Sequence, residues 1–172
     1  MINARTTIGY FLIKNMPTIL LFISILNEID FNYLELKYFS FNFSYILIFY
    51  YCLKRDGGMG YAFIFIAGLF NDVIVGTPMG LSSLMYLILC VAASYLKNIT
   101  LRASLIKESI FFLVTILIIN SLLFVTLNFV FNFQLSYFDQ IINIIFTFLL
   151  YFLFSIPFNF FENYFVGSNN GH

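Results

Sequence analysis

Long apolar stretches make up most of the chain, and short polar or glycine-rich segments divide them. The third stretch, for example, ends at the segment 76–80 (GTPMG), and a fourth apolar stretch begins directly after it. A helix needs about 20 mostly apolar residues to cross about 30 Å of hydrocarbon. The pattern therefore predicts an all-α, polytopic protein with about six transmembrane helices in a single integral membrane domain, over residues 9–28, 36–53, 61–75, 81–96, 109–130 and 140–161.

Some of these boundaries need a further argument. The second span ends at Leu53, and its start is expected between about Leu34 and Phe43. From Phe43 the apolar run is too short to cross alone, so either its helix includes Lys37 or the bilayer thins there.

Asn15 is expected to cap the first span, with Pro17 in its first turn. No small-residue cleavage site follows that span, which favours an uncleaved helix over a signal peptide. The tail from 162 to 172 is expected to be disordered.

Composition supports a membrane protein and argues against several other classes. Hydrophobic residues make up 62% of the 172 residues and charged residues 9%, whereas soluble domains carry about 25% charged residues. The formal net charge is zero, so nucleic acid is not an expected partner. Cys52 and Cys90 both lie in apolar runs and are interpreted as small hydrophobic residues rather than a disulfide pair. No catalytic, metal or cofactor motif is recognisable, so neither enzymatic activity nor a small-molecule substrate is expected.

Basic residues predict the orientation in the membrane. With six spans, one side of the bilayer holds seven of the eight basic residues, and only Lys37 lies on the other. Lys and Arg accumulate in cytoplasmic loops, so both termini are expected in the cytoplasm. The segment from Lys97 to Lys107 lies on this basic side. It is interpreted either as a short interfacial helix or as a plain loop.

A candidate functional motif lies between the third and fourth spans: Gly68, Asp72, Gly76, Pro78 and Gly80. Gly68 and Asp72 share one face of a helix, where glycine allows close helix packing. Pro78 cannot continue a helix, so the chain is expected to reverse there. Asp72 then lies near the outer end of its span. It is expected to accept backbone N–H groups from the turn or from the start of the fourth helix. Partner contact and ion coupling are the two alternative roles.

This motif resembles the signature of the rod shape-determining MreD family. That signature combines a glycine, a leucine and an aspartate with a Gly-x-Pro-Leu-Gly turn and an apolar helix. Met79 stands where leucine is usual, and Asn71 where an apolar residue is more common. The segment covers about a quarter of the chain, and the family's length and span count also agree.

The resemblance implies a non-enzymatic scaffold in the bacterial inner membrane. Such a protein acts in cell elongation with membrane lipid around it and with an MreC-like bitopic partner. Through that partner it meets MreB, RodA and a transpeptidase. The implied fold is similar to that of the substrate-binding subunits of energy-coupling-factor transporters. No catalytic residue carries over from the family.

Two other functions compete with the scaffold. A vitamin-type transporter subunit would need a polar or aromatic pocket open to the outside, for which Asn120, Asn128, Asn143 and several tyrosines are candidates. A proton-coupled carrier would depend on Asp72 alone.

Overall fold

The computed structural model describes residues 4–26, 41–54, 59–99, 104–133 and 136–165, with side chains between residues 15 and 160. Throughout these ranges the regular structure is helical, and the all-α prediction is confirmed. The α-helices are α1 (Ala4–Leu26), α2 (Phe43–Lys54), α3 (Tyr61–Val75), α4 (Leu81–Ile99), α5 (Leu105–Val125) and α6 (Tyr137–Phe165). A short π-helix, Thr126–Val130, continues α5.

Three stretches are long and apolar enough to cross a membrane by themselves: Leu81–Ile99, Leu105–Val130 and Tyr137–Phe160. This agrees with a membrane protein. The apolar helices Asn15–Leu26, Phe43–Lys54 and Tyr61–Val75 are shorter. At 1.5 Å per residue, the 12 residues of α2 extend only about 18 Å.

Pairs of contacts show the relative directions of the helices. Two hydrogen bonds between α2 and α6 occur in the same order along both helices, so these helices are parallel: Asn42 with Thr147, and Tyr50 with Asn159. Two ring contacts between α5 and α6 occur in opposite order, so these are antiparallel: Phe112 with Tyr151, and Phe124 with Tyr137.

The same alternation holds elsewhere in the bundle. Ser24 near the end of α1 bonds to Ser44 near the start of α2, and α3 turns back tightly into α4. We call the end where α1, α3 and α5 finish the hairpin end. The opposite end, where Lys54 and Lys97 lie, is the basic end.

Helix α2 lies at the centre of the bundle. All ten residues from Ser44 to Leu53 are buried, on every side of the helix. A helix that is apolar all round is stable when neighbouring elements cover it completely. Helices α1, α4 and α6 supply this cover, and rings of α5 also contact it. Because other helices surround α2, its sides face protein rather than lipid, although the helix is short.

The start of α2 lies at the late end of the predicted interval. Residues 41 and 42 are not helical, so the described helix begins at Phe43 rather than near residue 36, and residues 36–40 lie outside the described ranges. The physical reason is a cap: the side-chain oxygen of Asn42 accepts the backbone N–H of Tyr45 at 3.1 Å. This bond satisfies one of the donors that the first helical turn leaves without a partner.

Other boundaries also change. Pro17 lies inside α1 rather than in a first turn capped by Asn15, because the helix already begins at Ala4. Helix α6 continues through Phe165, so the tail is not irregular from residue 162, and residues 166–172 lie outside the described ranges. The ends of the 97–107 segment belong to α4 and α5, which extend further than predicted, so no separate interfacial helix occurs in its described part. The predicted bounds of α3 agree with the structure.

Candidate functional site: the Asp72 hairpin and the adjoining polar cavity

Asp72 locks the turn between α3 and α4. One carboxylate oxygen accepts the backbone N–H of Gly80 at 2.7 Å. The other accepts the N–H of Ser82 at 2.9 Å and the hydroxyl of Thr77 at 2.8 Å. Gly80 has no side chain with which to cap α4. The carboxylate of α3 therefore supplies the cap from across the turn, where the helix dipole also favours a negative charge.

The backbone of Asp72 closes the other half of the turn. Its carbonyl oxygen accepts N–H groups from Gly76 at 2.9 Å and from Thr77 at 3.1 Å. Gly76 ends α3 in the left-handed conformation with φ 77°, and Gly80 has φ 94°. Both conformations favour glycine because they crowd a Cβ atom. Pro78 contributes its carbonyl oxygen, which accepts the N–H of Leu81 at 3.2 Å.

Gly68 has a different role from the two turn glycines. A Cβ atom built on it would lie 2.5 Å from the backbone nitrogen of Ser83. Ser83 in turn donates its hydroxyl to the carbonyl oxygen of Phe65 at 2.8 Å. The two helices therefore approach at backbone distance around Gly68, as small residues permit in membrane proteins.

The hydrogen-bonding of Asp72 bears on its three candidate roles. The residue is only 1% exposed, and both carboxylate oxygens already accept hydrogen bonds within the hairpin. Buried polar groups that are satisfied locally need no further ligand. The geometry therefore favours a hairpin lock over contact with a partner or coupling to an ion.

A polar cavity of about 610 Å³ adjoins this hairpin. Residues near the hairpin end of α2 to α6 line it, including Tyr45, Asn71, Tyr86, Asn120 and Asn143. The rings of Tyr45 and Tyr86 meet edge to face with centroids 5.7 Å apart. Small-molecule sites commonly have volumes of about 300–1,000 Å³ with a few polar groups among apolar ones. The cavity has the size and chemistry of such a site.

Asn71 connects the hairpin with the cavity. Its amide donates to the hydroxyl of Ser82 at 3.1 Å, whereas its side-chain oxygen is buried and has no partner in the described part of the protein. A buried acceptor without a hydrogen bond costs about 1–3 kcal/mol.

The asparagines considered from sequence separate into two groups. Asn120 and Asn143 line the cavity, whereas Asn128 does not appear in its lining. Tyr86 and Gln140 were not singled out from sequence, although both line the cavity. Their polar ends in otherwise apolar helices were the available signal. That signal becomes informative only when packing shows which helix faces meet.

A second polar cluster, at the basic end, was missed from sequence. Lys54 at the end of α2 forms an ion pair with Glu108 in the first turn of α5, with Nζ and Oε1 2.5 Å apart. The other oxygen of Glu108 and the hydroxyl of Tyr151 are buried without a partner in the described residues. Glu108 is the acid that directly precedes a long uncharged stretch of sequence, which was the available signal.

Cys52 of α2 and Cys90 of α4 lie side by side in the buried interface between these helices, and both thiols are free. Their adjacency was not foreseen from sequence. No group of three or more metal-ligating residues occurs in the described part of the chain.

Comparisons with protein-family models, with curated proteins and with solved structures each found no match.

Proposed function

We propose that this protein is a non-enzymatic scaffold subunit in the inner membrane of a bacterium, acting in the cell-elongation machinery as MreD proteins do. The single observation that carries the proposal is the closed hydrogen-bond set of Asp72. This set makes the shared motif a rigid structural corner. Such a structural role is what a scaffold requires of a buried acid in an apolar helix.

The exposed apolar faces support the same proposal. Large side chains on the outside of α3 and α6 are exposed in the isolated chain, among them Phe63, Phe70, Phe152 and Phe160. In a bilayer such faces contact lipid or the helices of other membrane proteins. A subunit with little mass outside its helices can bind partners chiefly through these faces.

The proposal includes six spans with both termini in the cytoplasm. The alternating directions of the helices support this arrangement, as does the location of Lys54, Lys97 and Lys107 at one end. Asp139 lies at the opposite end, in the first turn of α6. Under the positive-inside rule the basic end faces the cytoplasm and the hairpin end faces outward.

Depletion in a rod-shaped host tests the function. We expect the cells to become round, and a variant carrying Gly68→Leu, which separates α3 from α4, not to restore the shape. Affinity purification from the native membrane is expected to recover an MreC-like bitopic protein. Cells that keep their shape, together with no such protein in the purified material, would contradict the scaffold.

A second candidate function is a substrate-binding membrane subunit of a small-solute transporter. The observation in its favour is the polar cavity at the hairpin end, which contains Asn120, Asn143 and two tyrosines. The same purification distinguishes the two functions. Recovery of a pair of ATPases in place of a bitopic wall-synthesis protein would favour the transporter.

A further inference from the structure

Two cavities at the hairpin end share a wall. The polar cavity of about 610 Å³ lies among α2 to α6 at the hairpin end, and a second space of about 630 Å³ lies between α5 and α6. Asn120 of α5 and Gln140 of α6 line both spaces. Two amide side chains therefore form part of the wall between the polar cavity and the space between α5 and α6.

The space between α5 and α6 is a lipid-facing groove. Apolar side chains such as Leu117, Ile118 and Ile141 form most of its lining. Ile118 is 60% exposed and Ile141 is 39% exposed, so the groove opens toward the surroundings of the bundle. These surroundings are hydrocarbon if α5 and α6 cross the membrane. An acyl chain fits this chemistry.

The polar cavity has the opposite character. Asparagine, glutamine, serine, threonine and tyrosine side chains contribute to its lining, and together they offer both donors and acceptors of hydrogen bonds to a ligand hydroxyl. Among the described residues, no Lys or Arg lines either space, and Asp139 is the charged residue of the lining. A phosphate group would therefore lack a cation and would meet a like charge.

We propose that the two spaces form one binding site for a membrane amphiphile with an uncharged, hydroxyl-rich head group. The head group occupies the polar cavity and bonds to the side chains of Asn120 and Asn143. One acyl chain passes between Asn120 and Gln140 into the groove. Asn120 lies ten residues before the end of the π-helix, about 15 Å along the axis, so the site lies within the half of the membrane at the hairpin end. The inference goes beyond the scaffold function, which needs no ligand.

Photo-labelling in phosphatidylcholine nanodiscs tests the site. The probe is a glucosyl diacylglycerol with a diazirine in one acyl chain, and its comparison is phosphatidylglycerol with the same labelled chain. We expect the glucosyl probe to label residues of the groove, as mapped by mass spectrometry of peptides. Unlabelled glucosyl diacylglycerol should displace it, whereas free glucose and phosphatidylglycerol should not.

Two pairs of variants localise the binding. Asn120→Leu removes a shared amide, and Ile141→Trp fills the groove. Asn120→Leu should lower labelling about fivefold, the ratio that corresponds to one lost hydrogen bond of ordinary net strength. Ile141→Trp should lower labelling at least as much, because the indole occupies the space of the acyl chain. Asn128→Leu and Ile145→Trp are the matched controls on the same helical segments, outside both linings, and should label like the wild type. If Asn120→Leu does not elute as a folded protein, the Ile141 and Ile145 pair carries the test.

Several results would overturn the inference. Labelling that is spread evenly around the bundle and is unchanged by Ile141→Trp would indicate surrounding lipid only. Equal labelling of the groove by phosphatidylglycerol would refute the uncharged head group. Displacement by free glucose at concentrations similar to those of the lipid would indicate a site for a water-soluble solute. None of these results would bear on whether depleted cells lose their shape, so the scaffold proposal would stand even if the lipid site were disproved.

Discussion

The carboxylate of Asp72 in α3 accepts the backbone N–H of Gly80, 2.7 Å away at the start of α4. An acid in an apolar helix thus caps the helix that follows it. Because the two residues are eight positions apart with a reversal between them, the bond requires the complete turn. The acid and the turn glycines are therefore one structural unit, and substitutions in this region should change the stability of the protein in the first place.

Asp72→Asn should destabilise the protein by about 2–3 kcal/mol, since hydrogen bonds to a charged group contribute about 1.5–3 kcal/mol. An asparagine keeps one acceptor oxygen, and its NH₂ group would face a backbone N–H that also needs an acceptor. Thermal unfolding in detergent, followed by circular dichroism, measures the change. Asp139→Asn is the control, because Asp139 is an exposed acid in the first turn of α6, where the loss of the charge costs only about 0.3–1 kcal/mol. Equal losses for the two variants would contradict the lock.

Gly68→Ala should destabilise the α3–α4 pair by about 1–3 kcal/mol, the usual cost of overpacking. The added Cβ would lie 2.5 Å from the backbone nitrogen of Ser83, and a backbone cannot rotate away as a side chain can. Ala62→Val, at an exposed position of the same helix, adds two methyl groups where space is open. It should change the unfolding temperature little. A Gly68→Ala protein as stable as the wild type would show that the helices do not approach this closely.

Lys54→Met should lower the free energy of unfolding by about 3 kcal/mol. This value is near the low end for removing one partner of a buried ion pair, because the Lys54 side chain is 27% exposed. The loss arises because the Glu108 carboxylate stays buried without its cation. The double variant Lys54→Met with Glu108→Gln should be more stable than Lys54→Met alone. Unfolding of the two single variants and the double variant in a double-mutant cycle gives the coupling.

Lys107→Met is the matched control for this cycle. Lys107 is exposed and directly precedes Glu108 in the chain, so its removal should have little effect on the free energy of unfolding. If Lys54→Met and Glu108→Gln destabilise the protein additively, the two side chains do not interact as the structure places them.

Fusions to alkaline phosphatase test the six-span arrangement. A fusion after Phe131, at the hairpin end, should be active because this enzyme matures outside the cytoplasm. A fusion after Ser104, at the basic end, should be inactive. The two sites lie on opposite sides of α5, so equal activity at both would contradict a crossing by that helix.

Several features follow from the sequence through local physics. The bounds of α3 were predictable because a charged, glycine-rich segment precedes it and Gly76 with Pro78 ends it. Bonds from Asp72 to backbone N–H groups were expected because a carboxylate one turn before a reversal can reach the first donors of the next helix. The start of α2 could be predicted only as an interval, because it depends on a single side-chain bond, the cap by Asn42, and the residues on both sides are similarly apolar.

The sequence by itself determined that the chain is helical and apolar enough for a membrane, and where the hairpin between α3 and α4 turns. Hydropathy, proline and glycine act over a few residues, so their effects can be read along the chain. Only the tertiary structure placed α2 at the centre, paired Lys54 with Glu108 and brought Asn71 and Asn120 to one cavity. When nearly every face of every helix is apolar, periodicity no longer indicates which face is inside. Packing between residues far apart in the chain then decides it.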